Sequence, residues 1–323
     1  TDEDQTRVTP RYMARQDQTI AARYGRAGAA FKVRASHTEL KVGEMRTDIP
    51  IFSSSDTRLL PESNFGWIIT SQELPTLKFK AGRFTGWADR SASKNNAELL
   101  ANYSGVNARA FTFVGGSWET PVRHLTVSSY VGQLENNWNT SYLGAHFSQY
   151  IERDRSYALH GNAYRNIDTG KALSGHIDTS AFSLAGTYQT GSHTIGVGFQ
   201  KINGSNPFDY VNRGSIWLAN AMQLSDFNGP NESSWQLKYE IDLSKVWTPG
   251  FSAAVAYTKG SGIDNSQLNP VYAQYLGYAG KDGKHWERDV LLRYAVREGV
   301  AKNLTLQLRF GVHRVNEVQG EAN

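Results

Sequence analysis

Basic side chains recur at alternate positions in one stretch of this chain, and that spacing points to anion chemistry. Residues 288–314 read RDVLLRYAVREGVAKNLTLQLRFGVHR. Arg293 and Arg297 share a parity with Leu291 and Ala295; in the second half Arg309 and His313 share one with Thr305, Gln307 and Gly311. A guanidinium offers a carboxylate two parallel hydrogen bonds. A row of cations along a narrow wet surface concentrates anions and supplies successive weak sites, which permits both entry and release. Lys32, Arg34, Lys78, Lys80 and Lys238 occupy the same kind of position in other alternating stretches. Competing chemistries lack their residues. There is no HExxH zinc pair, no phosphate-binding glycine loop and no nucleophile elbow. The absence of cysteine removes disulfides and thiolate metal sites. Asp264, Asn265 and Asp282 do not have the spacing of a calcium loop. No catalytic group, cofactor or metal is expected.

These cations act together only if the backbone holds them on one face. In residues 288–314 the polar set alternates with Val290, Leu292, Tyr294 and Val296, then with Leu304, Leu306, Leu308, Phe310 and Val312. Two strands joined through Gly299 as an antiparallel hairpin follow from that period of two. The same alternation appears in Phe31, Val33 and Ala35, in Phe65, Trp67 and Ile69, in Leu77, Phe79 and Ala81, and from Trp235 to Leu243. Further strands are expected near 109–115, 122–131, 137–151, 157–164, 181–189, 194–201 and 251–257. A short one is expected at 39–43, a weaker one at 216–223 and another near 19–24. That makes about 15 strands. Loops are expected at 45–61, 87–103, 165–179, 202–215 and 259–287, with a short helical turn at 96–100. No linker divides the chain, so residues 1–323 read as a single domain.

Composition then says what the polar faces look at. Of 323 residues 39% are hydrophobic and 20% charged, with 30 glycines, 16 tyrosines, 14 phenylalanines and 8 tryptophans. That is slightly poor in apolar residues for a soluble globule, and it suits strands that wrap a wet interior. No apolar run is long enough for a transmembrane helix, which leaves a membrane barrel open. The net charge of +4 is dispersed, against nucleic-acid binding. Trp67, Trp138, Trp217, Trp235, Trp247, Trp286 and Tyr294 fall near strand ends, where membrane interfaces place aromatics. The expected 137–151 strand exceeds the roughly 5–6 residues usual in globular sheets. An all-β, transmembrane antiparallel β-barrel is the reading, closed because no strand edge stays unpaired in hydrocarbon. Its long loops are expected to fold inward and narrow the pore. A soluble all-β binding protein is the alternative outside the membrane.

The run Asp56-Thr57-Arg58-Leu59-Leu60-Pro61, then Gly66-Trp67 and Gly82-Arg83, resembles the signature of the OprD-type porins, the outer-membrane carboxylate channels of pseudomonads. So do Ser225-Asp226-Phe227-Asn228-Gly229-Pro230, the 260–264 region with Ile263-Asp264, and Lys284-His285-Trp286-Glu287-Arg288-Asp289. The resemblance runs from about Ala29 to the end. It implies a monomeric barrel of eighteen strands in the outer membrane of a Gram-negative bacterium. By that comparison the chain is expected to lack N-terminal strands and the last C-terminal one. The resemblance also implies a passive diffusion channel, not an enzyme, that takes small carboxylates, cyclic or aromatic acids among them, past a basic ladder. A branch preferring basic amino acids and peptides is the alternative. The partners implied are small carboxylate solutes, outer-membrane lipid and, in vitro, detergent. Arg58 and Arg83 join the candidates on the resemblance alone. Asp56 and Asp264 lie in loop segments, where they face the ladder or a substrate amine, or belong to the outer surface.

Overall fold

Alternation along the chain becomes a meander of strands. The computed structural model describes residues 25–57, 60–90, 96–152, 154–214, 216–272 and 280–319. The wall begins with β1 (Ala30–Ala35), β2 (Thr38–Met45), β5 (Ser63–Leu74), β6 (Leu77–Ala88), β9 (Phe111–Glu119) and β10 (Leu125–Leu134). It continues through β11 (Trp138–Glu152), β12 (Arg155–Asp168), β13 (Asp178–Thr190) and β14 (His193–Asn203). It ends with β15 (Ser233–Asp242), β16 (Phe251–Ile263), β17 (Gly283–Ala295) and β18 (Thr305–Val315). These 14 strands form one antiparallel sheet in chain order. Two small hairpins, β3 (Asp48–Ile49) with β4 (Phe52–Ser53) and β7 (Leu99–Leu100) with β8 (Asn107–Ala108), sit inside loops. The architecture is all-β and antiparallel, as expected; of the eighteen strands described, fourteen form the wall and four the loop hairpins, and no α-helix occurs among the described residues.

Register decides which residues share a face. Between β17 and β18, Val290 pairs with Phe310 and Leu292 with Leu308, while Arg293 pairs with Gln307 and Leu291 with Arg309. The apolar face is bare: Phe31 is 70% exposed, Leu184 59% and Phe310 58%. So many large exposed side chains on one surface suit lipid, not water. The opposite face is concave, because the loop 204–232 touches distant strands from that side. Its Asn212 donates to Asn64 on β5 (2.9 Å), and its Leu224 amide donates to Glu287 on β17 (2.8 Å). Replacing Leu308, on the lipid face, with arginine is expected to cost about 2–4 kcal/mol in lipid vesicles. Gln307→Arg, one residue away on the lumen face, should leave urea unfolding nearly unchanged; equal losses would reverse the two faces.

The turn 135–137 apart, short turns lie at one end and the long connections 46–62, 89–110, 204–232 and 264–282 at the other, the periplasmic and extracellular ends of such barrels. The long connections fold inward and bury the apolar core inside the wall. Phe52 packs on Phe111 at 4.9 Å between ring centres, and Tyr164 on Phe208 at 5.2 Å. Inward glycines make room for these rings. A Cβ at Gly115 would strike Tyr130, and one at Gly144 would strike the Tyr142 hydroxyl.

Four expectations change. Residues 216–223 are not a strand: their amides bond to wall side chains, Ala219 to Ser183 Oγ (3.1 Å) and Asn220 to Gln200 Oε1 (3.0 Å). No helical turn forms at 96–100, where Ala97 bridges to Trp87 and Leu99–Leu100 is β7. Trp138 is buried in the interior and Trp217 lies on an inward loop, so neither belongs to an interface belt. Trp67 and Trp235 do face outward. The expected strand near 19–24 lies outside the described residues.

Candidate functional site

The site is the lumen, and the loop 204–232 shapes it by crossing from β5 to β17. Asn166 of β12 donates to the Asp209 carbonyl (2.8 Å), and Gln200 of β14 donates to the Phe227 carbonyl (2.7 Å). Asp209 accepts from the amides of Tyr103 (2.9 Å), Ser104 (3.1 Å) and Tyr210 (2.8 Å). Asp226 accepts from the hydroxyls of Tyr103 and Tyr210, so two loops meet on one carboxylate.

Two of the sequence motifs dock on each other. Glu287 accepts from the amides of Leu224 (2.8 Å) and Ser225 (2.9 Å), and Asp289 accepts from that of Gln223 (3.2 Å). Phe227 stacks on His285 at 4.2 Å between ring centres. His285 joins the buried Glu232 through Nε2 (2.6 Å) and His313 through Nδ1 (2.8 Å). A backbone run without its own ladder thus finds its partners in wall carboxylates. Their chemistry here is anchorage.

Burial pushes the Glu62 carboxyl up to about 8 and that of Asp209 to about 6, both in the inward loops. A carboxyl raised in the folded state stabilises it fully below the unfolded value and loses that contribution as pH rises through the folded one. Loop packing is therefore expected to weaken as pH climbs from 3.8 to about 6 for Asp209 and from 4.5 to about 8 for Glu62. Protease sensitivity of the loop 46–62 reads this out, and Glu62→Gln should remove the part that extends to about 8.

Register sorts the candidate cations. Arg293, Arg309, Lys238, Lys78, Lys80, Lys32 and Arg34 all lie on the lumen face of their strands. Arg309 Nη2 donates to Gln307 Oε1 (3.0 Å), and neither Arg293 nor Arg309 forms an ion pair among the described residues. Lys80 donates to the Asp48 carbonyl of an inward loop (3.2 Å). Lys32 and Arg34 share Glu39, at 3.4 and 3.8 Å. Lys41, opposite Lys32, belongs to the same set and was missed, although Leu40 and Val42 beside it carry the parity signal.

Other candidates fall elsewhere. Arg83 faces outward: it is opposite Trp67, bonds Thr112 Oγ1 (2.9 Å) and pairs with Glu135 (3.6 Å). The irregularity in β6 follows Arg83, so it does not turn the side chain inward. Arg297 lies beyond β17 in the turn to β18, because the ladder stops at Ala295. Asp56 pairs with Arg46 (3.0 Å), and Asp264 with Lys281 (3.7 Å) and with Ser266 Oγ (2.5 Å) in its own loop. Arg58 lies outside the described residues.

From β9 to β14 the lumen face carries no lysine or arginine among the described residues, and its carboxylates there, Glu119 at the short-turn end of β9 and Asp168 at the long-loop end of β12, are the last residues of their strands. Ser117, Ser128, Asn162 and Ser183 line it, with Tyr142 bonded to Asn162 (2.8 Å). His146 and His160, cross-strand partners, bring their Nδ1 atoms to 2.9 Å. A cavity of about 390 Å³ opens over this wall beneath Trp217. Sequence parity points both histidines inward, but only register pairs them. The lumen therefore has a neutral, hydroxyl- and aromatic-rich wall in its middle strands and a basic one on the strands at both ends of the sheet.

Comparison with known proteins agrees with this geometry. The family described as outer membrane porin, OprD family, matches residues 1–323. Porin D of Pseudomonas aeruginosa is 37% identical over 310 residues, which span 93% of this chain and 70% of that protein. The porin-like protein GalP of Pseudomonas putida is 28% identical over 289 residues, spanning 88% and 66%. The crystal structure of the outer membrane protein OprD from Pseudomonas aeruginosa superposes with a TM-score of 0.85 at 38% identity, over 93% of this chain and 76% of that one. Pseudomonas aeruginosa OpdK with vanillate superposes with a TM-score of 0.86 at 31% identity, over 94% and 77%.

Proposed function

Because this chain belongs to the OprD family of outer-membrane porins, we propose that it is a passive, substrate-selective channel for small carboxylates, cyclic and aromatic acids in particular. Its place is the outer membrane of a Gram-negative bacterium, and its family is one of porins, not enzymes. The observation that carries the reading is the inward pair Arg293 and Arg309, free of carboxylate partners among the described residues and set in a lumen whose middle wall is neutral. An unpaired guanidinium in a wet, narrow channel attracts anions and binds each one weakly enough to let it go. Basic residues mark both ends of the sheet, Lys32, Arg34 and Lys41 on β1 and β2 and Arg293 and Arg309 on β17 and β18. Lys78 and Lys80 extend the first group on β6. The facing tyrosines and Trp217 offer a ring its apolar faces while the carboxylate follows the cations. Vanillate, seen with OpdK, is an acid of this kind. One pore per chain, acting as a monomer, completes the proposal.

A channel preferring basic amino acids would rest instead on the lumen-facing Glu240, two residues along β15 from Lys238, and Asp289, in the row of Lys238. A liposome-swelling panel separates the two. Benzoate-like acids are expected to enter faster than arginine and faster than a neutral sugar of equal size. Arginine entering fastest would overturn the carboxylate reading.

A further inference from the structure

The outer face of β16 to β18 carries a cation cluster that the channel does not use. In register, Lys259, Trp286 and Arg314 stand side by side, and Lys284 and Arg288 flank Trp286 two residues away along β17. Strand geometry puts all four cations within about 7 Å of Trp286, measured along the backbone. They share the outward parity of Trp235 and Tyr257, which pack on one another at 5.5 Å; Tyr257 meets Trp286 at 5.9 Å. All four are exposed, and none has a side-chain hydrogen bond or ion pair among the described residues. Other outward cations towards the same end are satisfied. Arg83 pairs with Glu135, Arg165 with Asp178 (3.2 Å), and Lys201 donates to the Asn231 carbonyl (2.6 Å). The acids on the same strands, Glu287 and Asp289, point inward to the loop amides.

Unpaired charge on a lipid-facing wall is costly unless the lipid supplies the counter-charge. The cluster sits at the long-loop, extracellular end, just above the apolar band of Val290, Leu292 and Phe310. We propose that it is a docking site for the phosphorylated glycolipid of the outer leaflet. The two arginines clamp phosphate oxygens in pairs of hydrogen bonds, and the lysines add point charges on either side. Trp286 presents its ring to the sugar, and the acyl chains lie along the apolar band below. A free anion would use the cations but not this adjoining aromatic and aliphatic surface, which is why a lipid is the occupant.

Native mass spectrometry of the protein released from detergent tests this. The unmodified protein is expected to retain bis-phosphorylated lipid A and to lose the dephosphorylated lipid. The triple variant Lys259→Gln, Arg288→Gln, Arg314→Gln should bind the phosphorylated form on the order of 100-fold more weakly. Arg165→Gln, which removes a paired outward cation, should bind it normally. Equal retention of the dephosphorylated lipid by the unmodified protein would overturn the site without recourse to any variant. So would full displacement by phosphatidylethanolamine at equal concentration, or unchanged binding by the folded triple variant.

Discussion

Replacing Arg293 and Arg309 together with glutamine is expected to lower carboxylate flux relative to a neutral sugar on the order of tenfold, with little change in single-channel conductance to that sugar. Both side chains stand on the lumen face of adjacent strands, and the register sets them diagonally, Arg293 beside Gln307 and Arg309 beside Leu291. Diagonal neighbours lie about 7–8 Å apart, close enough for one carboxylate to pass from one to the other. Glutamine keeps length and hydrogen bonding, so the loss isolates charge. Lys238 is a weaker lever, because Asp289 lies in its row two strands away. Arg83→Gln is the matched control: its outward position predicts no change in selectivity. Unaltered carboxylate preference in the double variant would remove both arginines from the pathway.

Substituting Glu287 by alanine is expected to release the loop 204–232 from the wall and open the pore. The carboxylate accepts two loop amides, and leaving each buried donor unmade costs about 1–3 kcal/mol. The barrel ladder does not involve that side chain, so folding should survive while loop docking fails. Single-channel recordings should show higher and noisier conductance with reduced discrimination between acids and sugars, and protease should cut near 216–225. Glu287→Gln, which retains one acceptor oxygen, should fall between. Conductance and cleavage identical to the unmodified protein would mean that Glu287 does not anchor the constriction.

Much of the wall is legible in the sequence alone. Val290, Leu292, Leu306 and Leu308 alternate with polar residues, and a strand has no way to satisfy that pattern except by showing one face to apolar surroundings. The same reasoning puts Arg293 and Arg309 on the face opposite those apolar residues, and the register sets them on one face too. It failed for Trp138, because an aromatic at a strand end looks alike whether it meets lipid or an infolded loop. It failed for residues 216–223, where Ile216 and Leu218 read as a strand face but pack inside as loop. Arg83 shows the limit of motif matching: a conspicuous Gly-Arg pair says nothing about which side of a pleat the arginine takes.

Local alternation, then, determines strands and faces, since side-chain direction in a strand depends only on parity. The encounters that shape the lumen join residues far apart in the chain: Asn64 with Asn212, Glu287 with Leu224, His146 with His160, Lys259 with Arg314 across Trp286. Those are set by register and by where long loops settle, and both follow from the summed packing and hydrogen bonding of the whole wall. No window of sequence contains that sum, so the basic face is written in the chain while the constriction and the outer cation cluster exist only in the fold.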